Sequence, residues 1–394
     1  MTKAVDVINE KRLIELTKAL VSIPSVTSHE QEISDWMCSH FKSLGLSGVQ
    51  RLPVEESGDS IVGYIDGPTD KPAMMLNFHM DTFDVFEGWE TEPFTPTLRD
   101  GKLYGLGTHD MKGGGACVLG AVEALLKSGV ELGGRLIVSA TTDEENWSRG
   151  AHEVIKTGLL ENCHYCLVPE PSAPASLTVG QRGRHVFHLQ FHGKTVHAAY
   201  SGGVNAVVDA AKVAAVLSDK ENLDLGYSKQ FGLPGTLEVI GLHGGGTLIL
   251  VPEQADLYID RHILPGQTLE YAVEQIKTAV SQANISGTYT FTWDNRPTPA
   301  PSAFLVPTDS HFVQTVSRIM GEEQGVSQIN HVLGRSVADT NHFAVHGGVP
   351  TMIYGPQGGN TCECNEYVEV GSLTAVARTY VRSVLELIGA EQNS

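Results

Sequence analysis

Five apolar runs of five or six residues constrain this chain most: IVGYI (61–65), AMMLNF (73–78), RLIVSA (135–140), HYCLV (164–168) and VPTMIY (349–354). Each has the length of a strand buried on both faces and is far too short to span a membrane. Helical patterns lie between them. Leu13, Leu16 and Leu20 recur at helical spacing until Pro24 stops the pattern. Ser28 and Gln31 make a capping-box signature ahead of Ile33, Met37, Phe41 and Leu44. GACVLGAVEALLKSG (115–129) reads as a further helix. This alternation predicts an α/β domain built on a mixed, mostly parallel sheet.

The middle of the chain has a different period. HVFHLQFHG (185–193), GTLEVIGLH (235–243), QADLYIDRHI (254–263) and GTYTFTWD (287–294) alternate apolar with polar, as half-exposed strands do. Helical patterns occupy 205–220 and 269–283. Residues 181–295 are therefore expected to form an inserted α+β domain. The first domain would comprise 1–180 and, after the Pro-rich linker 296–303, resume within 296–394 with the helical SHFVQTVSRIM (310–320).

Composition narrows the partners. Among 394 residues the formal net charge is −19, which disfavours nucleic-acid backbones and suits cations. No apolar run reaches transmembrane length, and MTKAVDVINEKRLIEL shows no secretory signal, so neither a membrane nor export is expected. Six cysteines are too few for a disulfide framework in a chain this long, and the reducing cytoplasm is the expected setting. Cys163 and Cys166 lie in an apolar run, where a structural role is expected.

Acidic residues follow the apolar runs. His79 and Asp81 come after AMMLNF, and His109 and Asp110 after KLYGLG. Asp143, Glu144 and Glu145 come after RLIVSA, and Glu170 after HYCLV. Any one of these could be a turn residue or helix cap. Together they would meet at the carboxyl ends of the strands, where open α/β sheets bind ligands. Such a cluster repels itself without cations, so a divalent metal site is expected. The last run leads into GPQGGNTCECNEYVEV (355–370). Its Cys362 and Cys364 are too close to bridge each other without strain. By spacing alone they could be metal ligands or packing residues.

The chain resembles the co-catalytic zinc peptidases and deacylases that include acetylornithine deacetylase, succinyl-diaminopimelate desuccinylase, aminoacylase and glutamate carboxypeptidase. The resemblance rests on FHMDTFDVFEGWETEPFTPTLRDGKLYGLGTHDMKGG (78–114), TTDEENWSRGA (141–151), VPEPS (168–172), GKTVHAA (193–199), DRHILPG (260–266) and NEYVEV (365–370). It implies a zinc-peptidase catalytic domain with an inserted lid that dimerises. It implies that His79, Asp110 and Glu170 hold one metal, with Asp110 bridging to a second that Glu145 binds. Asp81 would orient His79, and Glu144 would be the general base. His197 would reach the partner subunit's site and stabilise the oxyanion. His109 carries no implied role beyond packing.

Some positions depart from the family pattern. Cys362 stands where a ligand histidine is expected, four residues before Glu366, with Glu363 and Cys364 as competitors. DRHILPG gives Arg261 then His262, where the arginine of the family's D-x-R is expected second. Asp339 matches, but Asn341 replaces a frequent arginine, and TLILVPEQ (247–254) lacks the Asn that commonly precedes V-I-P. Weaker carboxylate recognition follows. The expected activity is metal-dependent hydrolysis of an amide-type C–N bond in a small molecule, by a cytoplasmic homodimer. One or two divalent metals per chain are expected, zinc first, with manganese or cobalt as alternatives. The competing expectations are removal of an amino group from an aromatic ring, and a degenerate binding protein.

Overall fold

The computed structural model describes residues 2–219, 223–246, 248–293 and 295–390. Lys220, Thr247 and Asp294, which the sequence places in a helix, in TLILVPEQ and in a strand, lie outside them. The chain divides into two compact units. The first is Met1–Gly180, Leu305–Val332 and Ala338–Ser394; the second is Gln181–Phe304 with Leu333–Val337. The Pro-rich stretch 296–303 thus belongs to the second unit.

The first unit is built on a mixed sheet. Seven of its nine strands run Ser47–Leu52, Ser60–Ile65, Leu136–Thr141, Ala73–His79, Cys163–Val168, Thr351–Ile353 and Ser176–Gln181 in spatial order. The four from Leu136–Thr141 to Thr351–Ile353 are mutually parallel, and the flanking pairs are antiparallel. Every residue of Ala73–His79 and Leu136–Thr141 is buried, which is why these strands read as unbroken apolar runs. Helices Gly113–Ser128 and Val370–Ile388 pack on each other and on Ala73–His79, while Gln31–Leu44 packs on the two antiparallel edge strands. Parallel strands put their carboxyl ends, and the loops that follow, on one side of the sheet.

Two local expectations are corrected. The helix after Pro24 begins at Gln31 with Glu30 as its cap residue, and no side chain caps it. Ser28 sits at φ 72°, so the apparent capping box does not form. KLYGLG does not feed the central sheet. Its strand, Lys102–Tyr104, belongs to a separate four-stranded antiparallel sheet with Thr97–Arg99, Gly358–Gly359 and Tyr367–Glu369.

The second unit has a four-stranded antiparallel sheet, ordered Thr236–Gly244, Gln254–Ile263, Gly183–His192, Thr288–Trp293. Burial alternates along Gly183–His192 and Gln254–Ile263. The buried face, with Phe187, Leu189, Leu257 and Ile259, packs with Ala210, Val213 and Ile276 of helices Ala206–Ser218 and Leu269–Gln282. Asn205 and Thr268 cap those helices by accepting backbone N–H groups. Among the described residues no helix is long and apolar enough to cross a membrane.

Candidate active site

Three strand ends deliver side chains to one place. His79 closes Ala73–His79, Glu144 and Glu145 follow Leu136–Thr141, and Glu170 follows Cys163–Val168. Asp110 arrives from the turn Thr108–Lys112, where its own backbone is not helical. Gly114, at the start of the next helix, admits the Glu170 loop. A Cβ there would lie 2.3 Å from the Pro169 carbonyl oxygen.

The His79 imidazole is the hub. Its Nε2 lies 3.2 Å from Asp110 Oδ1, 3.7 Å from Glu170 Oε1 and 3.9 Å from Glu144 Oε2. Two groups of potential ligand atoms share it: His79 with Glu144 and Glu170, and His79 with Asp110 and Glu145. Within each group the atoms lie within 4.8 Å of one another. The other ring nitrogen, Nδ1, faces the Asp81 carbonyl oxygen at 3.0 Å and the Asp81 carboxylate only at 3.5 Å. A carbonyl only accepts, so Nδ1 carries a proton and Nε2 faces the cluster.

Asp81 therefore orients His79 through its backbone. Its carboxylate has a different task. It accepts the backbone N–H of Glu144 at 3.2 Å and of Glu145 at 3.1 Å, and the Thr27 hydroxyl at 3.0 Å. One buried aspartate thus sets both the imidazole and the paired glutamates.

The electrostatics favour a cation. Burial, then neighbouring carboxylates, hold the Glu145 carboxyl well above its ordinary range. Glu170 is raised for the same reasons. Burial also raises Glu144, opposed by His79 and reinforced by Asp339, Asp81 and Asp110. For His79, burial lowers the pKa, but Asp110, Asp81, Glu144 and Glu170 outweigh it and raise it well above the usual histidine value. Glu145 Oε1 is buried with no hydrogen-bond partner. A donor set of one imidazole and four carboxylates, with an orphaned oxygen, fits divalent metals of the zinc, manganese or cobalt kind.

Cys362 meets this cluster. Its thiol donates to Asp110 Oδ2 at 3.4 Å, and its backbone is left-handed at φ 58°. Burial and the Asp110 and Glu145 carboxylates push its pKa upward. Of its two competitors, Glu363 is exposed, and Cys364 packs near Gly88. His109 is buried, with Nδ1 2.7 Å from the Thr361 hydroxyl. Cys163 and Cys166 are buried, and burial pushes Cys163 up to about 12.

Several supporting residues escaped the sequence reading. Glu366 Oε1 accepts the backbone N–H of His109 at 2.7 Å and of Asp110 at 2.8 Å, while Oε2 accepts that of Gly107 at 2.8 Å. Glu30 Oε1 accepts the Ser57 hydroxyl at 2.7 Å and the Asp143 N–H at 3.1 Å. Asp143 in turn pairs with Arg149, whose Nε and Nη2 lie 2.7 and 2.8 Å from its oxygens. The signals for Glu366 and Arg149 were their places in NEYVEV and TTDEENWSRGA; Glu30 had none.

The remaining candidates have other surroundings. His197 is exposed in the second unit, where its Nδ1 accepts the Ala199 N–H at 3.1 Å. Arg261, also in the second unit, is fully buried. It donates to Gln275 Oε1 at 3.0 Å and to the carbonyls of Thr236 and Leu225 at 3.3 and 3.1 Å, so it is a packing arginine there. His262 pairs with Asp260 at 2.9 Å. In the first unit Asn341 accepts the Ala338 N–H at 3.0 Å, at the start of its own helix. Asp339 is buried, and burial raises it to about 6, against the hydroxyls of Thr141 and Ser148.

The family model of peptidase family M20/M25/M40 matches residues 75–386. The N-formyl-4-amino-5-aminomethyl-2-methylpyrimidine deformylase of Bacillus subtilis is 26% identical over 424 aligned positions, covering 96% of this chain and 94% of that one. The succinyl-diaminopimelate desuccinylase of Methylobacillus flagellatus is 26% identical over 379 positions, covering 94% and 97%. A tripeptidase from Staphylococcus aureus shares the fold, with a TM-score of 0.79 at 22% identity, covering 96% of this chain and 99% of its own.

Proposed function

The chain belongs to peptidase family M20/M25/M40, and from that membership we propose that it is a metal-dependent hydrolase of an amide-type C–N bond in a small molecule, deacylase-like or dipeptidase-like. The observation that carries this reading is the convergence of His79, Asp110, Glu144, Glu145 and Glu170 ligand atoms in one place. His79, Asp110 and Glu170 would hold one divalent cation, and Asp110, Glu145 and Cys362 a second. Such cations, zinc first and manganese or cobalt as alternatives, supply Lewis-acid polarisation of the scissile carbonyl and acidify water.

Glu144 takes the proton of the attacking water and passes it to the leaving nitrogen, a general acid–base role. Asp81 fixes Glu144 and Glu145 by their backbones, so the two side chains keep separate tasks. His197 serves the oxyanion of a neighbouring subunit in a homodimer formed through the second unit. In support, Tyr200, Leu248 and Ile249 of that unit are exposed, as are Ile240 and Leu242 on its edge strand. The six cysteines are all free, which supports a cytoplasmic setting.

The substrate is read as an N-acyl compound held with little help from an α-carboxylate. Arg261 is buried in packing and Asn341 replaces an arginine, which removes two usual anchors. The deformylase relative is named for a substrate without such a carboxylate. A panel of N-acyl amines, N-acyl amino acids, dipeptides and aminobenzoates, each with zinc, manganese or cobalt, tests the reading. Release of acid and amine from an amide is the expected result. Ammonia from ring amines alone would replace it with aminohydrolase chemistry, and no turnover of any class would favour a binding protein.

A further inference from the structure

His109 stands one residue before Asp110, in a turn that meets a distant stretch of chain. Its backbone N–H is accepted by Glu366 Oε1 at 2.7 Å, and its Nδ1 lies 2.7 Å from the Thr361 hydroxyl. One residue thus grips both ends of the segment 361–366. The ring is buried, and Gly358 lies flat against it: a Cβ there would come within 2.7 Å of the imidazole carbons Cγ and Cδ2. The neighbours of the two partners meet as well. Cys362, next to Thr361, donates its thiol to Oδ2 of Asp110, next to His109, at 3.4 Å.

The segment does not hold this shape by its own preferences. Asn360, Cys362 and Asn365 all sit at positive φ, 53°, 58° and 59°. Asparagine enters that region readily, but a cysteine there puts its Cβ too close to the following carbonyl oxygen. The far end is secured by another loop: Asn365 accepts the Glu90 N–H at 2.8 Å and donates to the Gly88 carbonyl at 3.3 Å. At the near end, the Glu363 N–H donates to the Asn360 carbonyl at 3.0 Å, which closes the turn on itself but fixes nothing to the cluster. A thiol is a weak donor. The left-handed turn at Cys362 therefore depends on the tie between Thr361 and His109.

We propose that His109 is a positioning residue: through Thr361 it holds the Cys362 thiol over Asp110, where the second cation of the proposed hydrolase would sit. An apolar side chain of similar size would fill the space beside Gly358 equally well, but only a polar one holds the hydroxyl. The purpose of this arrangement rests on the second-cation reading. The placement of the thiol is a property of the chain alone, and it is tested without metal.

The test is alkylation of the metal-free chain by iodoacetamide, with each cysteine followed by mass spectrometry. Thr361→Val keeps the side-chain shape and removes the hydroxyl. It should speed reaction at Cys362 roughly threefold to tenfold, the size of one lost hydrogen bond. Cys364, Cys163 and Cys166 should keep their unmutated rates. His109→Leu should act as Thr361→Val does, and combining the two should add little, since either alone breaks the bond. His109→Asn, whose amide reaches the position of Nδ1, should react as the unmutated chain does. In the zinc-loaded protein the sulfur scatterer at about 2.3 Å should weaken in Thr361→Val and persist in His109→Asn. An unchanged Cys362 rate in Thr361→Val overturns the proposal. So does acceleration spread over all the cysteines, which would make His109 a residue of the fold only. If His109→Leu does not fold, Thr361→Val decides. A zinc shell without sulfur in the unmutated protein would strike the second-cation reading, and the alkylation rates would still decide on His109.

Discussion

The buried carboxylate of Glu366 accepts the backbone N–H of Asp110 at 2.8 Å. It also holds Gly107 and His109, so the whole turn that presents Asp110 hangs on one side chain. Glu366→Ala would leave three buried N–H groups without an acceptor, at about 1–3 kcal/mol each before relaxation. The expected result is a lower urea midpoint and metal retention weakened by about 10–100-fold. Full zinc content after dialysis, at unmutated stability, would remove Glu366 from the account of the site.

Glu144 and Glu145 are adjacent but are given different work. Glu144→Gln should lower turnover by about 10²–10⁴-fold with metal content unchanged. Glu145→Gln should lose metal. Glu144 is also within ligand distance of His79 and Glu170. If Glu144→Gln loses the metal and Glu145→Gln keeps it, the two roles are exchanged.

Cys362 tests the second cation. X-ray absorption on the zinc-loaded enzyme should show a scatterer at about 2.3 Å, the distance of a sulfur ligand. Cys362→Ser should lower zinc per chain at this site and cut activity, and Cys362→His should restore both in part. Cys364→Ser should do neither. A shell of nitrogen and oxygen alone at about 2.0–2.2 Å would make Cys362 a wall residue.

His197 is tested by complementation. His197→Ala and Glu144→Ala homodimers should each be inactive, and exchange of subunits should restore part of the activity. Confirmed exchange without recovery would mean that His197 does not act across a dimer.

Glu30 gives a pH signature. Burial, then the Asp81 charge, raises its carboxyl from 4.5 to about 7 in the folded chain. The folded state thus holds a proton that the unfolded state has already lost between those values. Stability from this group is full below about pH 4.5 and declines as pH rises towards 7. Glu30→Gln should flatten that decline, by up to about 3 kcal/mol at pH 8. Urea midpoints of the two proteins measured from pH 5 to pH 8 should converge at the acid end. Parallel curves would show that Glu30 is ionised throughout.

What could be read from the sequence follows from how each feature is encoded. Strands buried on both faces are unbroken apolar runs, so the core of the sheet and the positions of His79, Glu144, Glu145 and Glu170 were visible in local pattern. Asp110 was found by motif, but not for the right structural reason. KLYGLG is a strand of a small antiparallel sheet, and the contact that places Asp110 spans 256 residues to Glu366. No window of local sequence contains such a contact. The Ser28–Gln31 signature misled because Glu30 gives its carboxylate to Ser57 and Asp143, and the chain enters the helix in another conformation. Arg261 shows the same limit: a charged residue in a strand reads as exposed until its partners Gln275, Thr236 and Leu225 are known.

The strand Thr351–Ile353 lies between Cys163–Val168 and Ser176–Gln181, two strands made long before it. A chain emerging from the ribosome must therefore leave a slot in the sheet while the entire second unit is synthesised. Glu366, which secures the Asp110 turn, emerges later still. Metal capture in its final form is thus an event of the completed polypeptide. A truncated product ending before residue 351 would carry every histidine and carboxylate of the first ligand groups, but neither the sheet nor the clasp that makes them a site.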